Sequence, residues 1–177
     1  ILGPELKSTG EVMGLAKRFG EAFAKGQLGI GLSIPTEGKV FLSVRDQDKP
    51  GISEIAKQLK MLGFDLVATK GTARVIQAAG LSCEIVNKVW EGRPNIVDLI
   101  KNGEIVFIVN TSKGGKSNSD SSSMRRFAVH YKINYATTLS GAKAACLAIL
   151  SIRHLKSVNP VKLQDIHSQG IFNLIGV

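Results

Sequence analysis

Four short stretches of this sequence gather the groups that a phosphate monoester asks for. Arg45-Asp46-Gln47-Asp48-Lys49-Pro50 brings cations next to a proline suited to the first turn of a helix. Thr69-Lys70-Gly71-Thr72 sets two hydroxyls around a lysine and a glycine. Asn87-Lys88 and Asn110-Thr111-Ser112 add amides, a further ammonium and two more hydroxyls. A phosphate ester carries a charge of about −1.5 to −2 at neutral pH. It is held by N–H and O–H donors in a positive field, most readily where helices begin. Taken singly each stretch is ordinary, because a Thr at such a junction commonly caps a helix and a loop Lys is commonly solvated. Four junctions that converge on one chemistry make a small anionic ligand the expectation.

Other chemistries fit less well. Asn110-Thr111-Ser112-Lys113-Gly114-Gly115-Lys116-Ser117 approaches a nucleotide-triphosphate loop, but Asn110 stands where that loop needs Gly. No later apolar strand ends in an Asp able to hold Mg²⁺. No Ser-His-Asp arrangement suggests itself, and paired carboxylates are absent from most of these junctions. The exception is Asp46 with Asp48, which reads as a helix-capping pair. His130, His154 and His167 have no metal-ligand spacing to each other or to the two cysteines. The edge is equipped to bind and poorly equipped to turn over.

These stretches need a scaffold that brings them to one side. Short apolar runs at Val40–Val44, Phe64–Ala68, Cys83–Val86, Ile105–Val109 and, more weakly, Ile133–Ala136 read as strands. Helical patterns at Pro50–Leu62, Ala73–Ala79, Ile96–Lys101, Ser121–Tyr131 and Thr138–Leu150 alternate with them. Such alternation implies right-handed crossovers and a parallel sheet covered on both faces. The expected fold class is therefore α/β, a three-layer α/β/α arrangement of Rossmann type around a five-stranded parallel sheet. In such a sheet all strands end at one edge, where ligands bind. A helical segment precedes it: Ser8-Thr9-Gly10-Glu11 has capping-box spacing, and Val12, Leu15, Phe19 and Phe23 recur at helical intervals. The glycines from Gly26 to Gly31 then read as a junction between two units. After Leu150 come a basic connector, a helical pattern at Val161–Ser168 and an apolar end.

Composition sets bounds on this reading. With 44% hydrophobic residues among 177, the chain can bury a core, and the 19 glycines suit many tight turns. No apolar run approaches the ~20 residues of a membrane span. A net charge of +9 favours anionic partners, yet the cations are spread along the chain and no nucleic-acid reader motif occurs, which argues against a nucleic-acid partner. Cys83 and Cys146 lie in apolar runs and read as buried thiols of a reducing, cytoplasmic compartment. The start at Ile1-Leu2-Gly3-Pro4 reads as a cut from something longer.

At this point a family resemblance emerges. Ser8-Thr9-Gly10-Glu11-Val12-Met13-Gly14, Val67-Ala68-Thr69-Lys70-Gly71-Thr72-Ala73, Val86-Asn87-Lys88-Val89, Glu91-Gly92-Arg93-Pro94 and Val109-Asn110-Thr111 stand in one family's order and spacing. To about Ser168 the chain resembles the carboxy-terminal part of the large subunit of the bacterial glutamine-dependent carbamoyl phosphate synthetases. The resemblance implies residues 1–31 as the tail of the second ATP-using synthetase half, 32–37 as a linker, 38–168 as a methylglyoxal-synthase-like allosteric domain and 169–177 as a carboxy-terminal tail. It implies UMP as inhibitor and IMP as activator, their phosphate held by Lys49, Thr69, Thr72, Lys88, Asn110, Thr111 and Ser112. The whole enzyme would be an ATP-dependent ligase of pyrimidine and arginine synthesis, making carbamoyl phosphate from glutamine, bicarbonate and two ATP. It would need Mg²⁺ or Mn²⁺ and K⁺, pair with a glutaminase small subunit and assemble as an oligomer of heterodimers; this part would hold no cofactor and no catalytic residue.

One position departs from the family's pattern. Relatives that respond to ornithine carry an Asp before two threonines after the fifth strand; here Ala136 precedes Thr137 and Thr138. Of that ornithine site Thr137 remains, without the carboxylate that would pair with an amino group. A methylglyoxal-synthase-like lyase acting on a phosphorylated triose is a rival on the same fold, but it needs a Gly-Asp pair where Lys113-Gly114-Gly115 stands. The cyclohydrolase half of the bifunctional purine enzyme shares the Gly-Thr-Ala turn, yet its Lys-Thr-Leu-His-Pro stretch is absent. A basic nucleic-acid-binding module is the rival from another class.

Overall fold

Val40, Phe41 and Leu42 are each fully buried, so the strand they form has no solvent face and no reason to alternate. That strand, β1 (Lys39–Ser43), is the centre of a five-stranded parallel sheet of order β3-β2-β1-β4-β5 in the computed structural model. The structure describes residues 12–88, 91–111, 118–154, 162 and 164–165. The remaining strands are β2 (Asp65–Ala68), β3 (Glu84–Ile85), β4 (Ile105–Asn110) and β5 (Asn134–Ala136). Parallel register sets Val40 beside Leu66 on one side and beside Phe107 on the other.

The helices are α1 (Phe19–Gly29), α2 (Lys49–Met61), α3 (Lys70–Ala78), α4 (Ile96–Lys101), α5 (Asn118–His130) and α6 (Leu139–His154). Val40 and Leu42 pack with Ile52, Ile55 and Leu59 of α2, Ile76 of α3 and Ile149 of α6. Phe41 packs with Ile96 and Ile100 of α4 and Met124 and Ala128 of α5. The sheet is thus covered on both faces, as the three-layer expectation requires. Each of these Val, Leu, Ile, Phe and Met side chains contributes about 1.5–3 kcal/mol by leaving water. The crossovers place α2 and α3 on one face while the strands progress outward from β1. They place α4 and α5 on the other once the chain returns to β4. This reversal puts a switch point between the ends of β1 and β4.

Several expectations are corrected. The opening helix begins at Phe19, so Val12 and Leu15 lie outside it, and Val12 and Phe19 are both exposed. A Cβ on Gly29 would stand 3.3 Å from Val12, which shows the segment before α1 folded back along it. The helix runs through Gly26 and ends at Gly29, so the junction is narrower than the Gly26–Gly31 stretch. Gly20 and Ala24 are its buried residues, and a Cβ on Gly20 would stand 2.4 Å from the Leu147 carbonyl oxygen, so α1 meets α6 almost backbone to backbone.

β3 has only two residues and both are exposed, since an edge strand has solvent where an inner strand has a neighbour. Cys83, expected in that strand and buried, lies before it and is half-buried. Burial still pushes its thiol up to about 11, as it does for the buried Cys146. α5 starts at Asn118, ahead of Ser121, and α6 continues past Leu150 to His154. The capping box at Ser8–Glu11 and nearly all of the pattern at Val161–Ser168 lie outside the described residues.

Candidate functional site

The carboxyl ends of β1, β2 and β4 are sewn together by hydroxyls. The Val44 backbone N–H, just past β1, donates to Thr72 Oγ1 at 3.1 Å, and the Arg45 N–H donates to Thr111 Oγ1 at 3.1 Å. Thr69 Oγ1 lies 3.3 Å from Thr72 Oγ1 and 3.5 Å from Ser43 Oγ, so its one proton serves a single partner at a time. The Thr69 N–H donates to the Leu42 carbonyl and the Thr111 N–H to the Ser43 carbonyl. Thr69, Thr72, Asn110 and Thr111 are all buried. Thr69 stands at the start of α3 yet makes no side-chain cap.

Lys49 opens α2 and is half-buried. Its Nζ is 2.7 Å from Asp46 Oδ1. A Cβ added to Gly71 would lie 3.4 Å from that Nζ, so the ammonium rests against the first turn of α3, and the absence of a side chain at Gly71 leaves it room. Asp48 does not cap α2 as expected from sequence. Its carboxylate takes Arg45 Nε at 2.7 Å instead. The Thr111 hydroxyl, followed by the Arg45 guanidinium, holds the Asp48 carboxyl below the usual carboxylate range.

The structure therefore brings Lys49, Thr69, Thr72 and Thr111 into one region, with Arg45 and Asp48. Asn110 closes β4 there, and its amide donates to the Tyr135 hydroxyl at 2.7 Å. Lys88 follows β3 at the same sheet edge, two strands from β1; it is exposed, and its backbone N–H is held by Glu91 Oε2. Among the described residues no contact joins its ammonium to the hydroxyl cluster. Ser112 lies outside the described residues. Ser43 was missed by sequence reasoning: it reads as a strand residue, and the available signal was its place as the last residue before the β1 loop.

Thr137 is exposed and separate from this cluster. With Thr138, Phe23, Gln27, Asn134 and Tyr135 it lines a cavity of about 160 Å³ between α1, β5 and α6. Ala136 lines it too, and none of the cavity's side chains is ionisable apart from the Tyr135 phenol. Among the described residues no group of three or more His, Cys, Asp or Glu is placed to hold a metal ion. No described helix is long and apolar enough to cross a membrane.

Residues 51–137, which carry most of this parallel sheet, match the family model of the MGS-like domain. The chain's relatives are more particular. Over 168 residues, 95% of this chain, it is 53% identical to the carbamoyl phosphate synthase large chain of Pseudomonas putida. It is 51% identical, over 94% of its length, to the carbamoyl phosphate synthase large chain, C-terminal section, of Methanopyrus kandleri, and covers 31% of that protein. The chain spans only 15% of the length of the Pseudomonas relative. A methylglyoxal synthase structure from Elizabethkingia anophelis superposes with a TM-score of 0.49 at 15% identity, covering 77% of this chain and 93% of that one.

Proposed function

We propose that this chain is the effector-binding, regulatory end of a carbamoyl phosphate synthetase large subunit and that its sheet edge takes the phosphate of UMP, an inhibitor, and of IMP, an activator. The supporting observation is the Lys49 ammonium lying against Gly71 in the first turn of α3, between Thr69 and Thr72 in sequence, whose hydroxyls meet each other and Ser43. A helix N-terminus, a lysine and small hydroxyls in one place suit a phosphate monoester. Asn110 and Thr111 belong to the same edge, and Ser112 and Lys88 are the further hydroxyl and the second cation that the family resemblance implies there. Residues 1–31 are read as the tail of the preceding synthetase half, 32–37 as a linker and 38–168 as the regulatory domain.

The whole enzyme, on this reading, joins ammonia from glutamine to bicarbonate with two ATP in the cytoplasm. The sites for ATP, Mg²⁺ or Mn²⁺ and K⁺ and the surface for the glutaminase subunit then lie chiefly in the rest of the large chain. The lyase alternative needs carboxylates able to move protons, whereas Asp46 pairs with Lys49, and Asp48 with Arg45 and Thr111. Calorimetric titration with UMP, IMP and uridine tests the proposal. UMP and IMP should bind and uridine should bind far more weakly; equal binding of uridine and UMP would overturn it. Turnover of ATP by this chain alone would likewise contradict a regulatory role.

A further inference from the structure

Within that edge, Thr111 has little left to give a ligand. A threonine hydroxyl has one proton and two acceptor positions. The Arg45 backbone N–H occupies an acceptor position at 3.1 Å, and the same hydroxyl helps hold the Asp48 carboxyl below its ordinary range. Asp48 returns to Arg45 through its side chain, with Nε at 2.7 Å. The result is a closed ring of three residues that ties the β1–α2 loop to the residue after β4, across the switch point. Thr111 is 6% exposed, and the Asp48 side chain 17%. The residue after Asp48 is Lys49, whose ammonium lies against Gly71.

We propose that Thr111 and Asp48 are positioning residues, a strap that fixes where the backbone of Lys49 leaves the loop and so aims its ammonium at the first turn of α3. The inference rests on the reading of this edge as a phosphomonoester site. It assigns Thr111 to the scaffold behind the ligand and gives Asp48, an acidic residue beside an anion site, a reason to be there. The sign of one substitution separates the strap from simple electrostatics. By charge alone, removing the Asp48 carboxylate leaves a more positive site and tightens anion binding. By the strap, removing it frees the loop, misplaces Lys49 and weakens anion binding.

The test uses the intact large chain with Asp48→Asn, Thr111→Val, Thr111→Ser and the Asp48→Asn/Thr111→Val double variant, titrated with UMP and with uridine. Each of the first two should weaken UMP binding roughly tenfold, the scale of one charge-assisted hydrogen bond, with uridine binding unchanged. The double variant should be no worse than either single one, because both break the same ring. Thr111→Ser should restore wild-type binding. Tighter UMP binding by Asp48→Asn, or additive losses in the double variant, would overturn the strap. If Thr111→Val fails to fold, Asp48→Asn and Thr111→Ser still decide the question. A wild-type protein that binds UMP no better than uridine would instead refute the phosphate site itself.

Discussion

The sheet's carboxyl edge has two quite different ends. Around β1, β2 and β4 stand Arg45, Lys49 at the start of α2 and Lys70 at the start of α3, and hydroxyls of Ser43, Thr69, Thr72 and Thr111 link the strand ends. Around β5 and α6, at the same kind of strand-to-helix junction, Ala136, Thr137 and Thr138 line a small cavity with Phe23, Ile34, Gln27 and Asn134. The first end is built for charge; the second offers only neutral dipoles and apolar surface. Identical topology therefore does not make equivalent sites, and the difference resides in which side chains stand one or two residues past each strand. The two ends still touch, because the Asn110 amide of the first donates to the Tyr135 hydroxyl of the second.

The sharpest way to break this comparison is to discharge the first end. Lys88→Ala or Lys49→Ala should weaken UMP and IMP by about 1.5–3 kcal/mol, the scale of one hydrogen bond to a charged group, and leave uridine unaffected. Calorimetry reads this directly, and an unchanged affinity in both variants would separate the cations from the ligand. A substitution within the hydroxyl lattice should register in stability instead. Thr72→Val keeps the shape and removes the acceptor of the Val44 N–H. A buried donor left without a partner costs about 1–3 kcal/mol, which thermal or denaturant unfolding would show as a lower midpoint.

The neutral end can be sharpened by adding the charge it lacks. With Ala136 in place, ornithine should activate the intact enzyme weakly or not at all, while nucleotide control persists. Ala136 is 7% exposed and lies beside the first turn of α6, so a carboxylate there would be partly buried near a helix N-terminus, which favours its charged form. Ala136→Asp should therefore create an ornithine response of up to ~1–3 kcal/mol of coupling. Activity titrations before and after the substitution measure it; strong activation of the unmodified enzyme would show that another group supplies the contact.

The smallest effect concerns pH. Asp48 is held below its unfolded pKa by the Thr111 hydroxyl and then by Arg45. Its contribution is complete above the ordinary carboxylate range and is lost as pH falls through the folded value. The stability gap between wild type and Asp48→Asn should thus be constant near neutrality and close only in acid. A gap that widens with acidification would mean the carboxylate is not stabilised in the folded state.

The five strands and the helices from α2 onward were readable because buried runs and amphipathic stripes are local signals. Ile52, Ile55 and Leu59 mark the buried face of α2 by spacing alone. The start of α1 was not readable, because Val12 and Leu15 share the helical period and are displaced by a contact the period does not encode, Val12 against Gly29. The clustering of Thr69, Thr72 and Thr111 followed from topology, since parallel strands must end together. The ring through Arg45, Asp48 and Thr111 did not: its members are separated by up to 66 residues. Only the packed structure shows that Asp48, placed as a helix cap would be, takes the Arg45 guanidinium instead.

The order of strands carries a consequence for how the molecule is made. β1 is both the central strand and the first to be synthesised. A chain emerging from the ribosome can add β2 and then β3 to one flank of β1, and later β4 and β5 to the other, without displacing a strand already paired. Each addition closes a loop through a helix before its pairing is rewarded, which makes parallel sheets slow to form. Until β4 arrives, one side of β1 stays open, with the fully buried Val40, Phe41 and Leu42 of the finished protein lying along an unpaired edge. Nascent chains arrested between β3 and β4 should therefore be the species most prone to association.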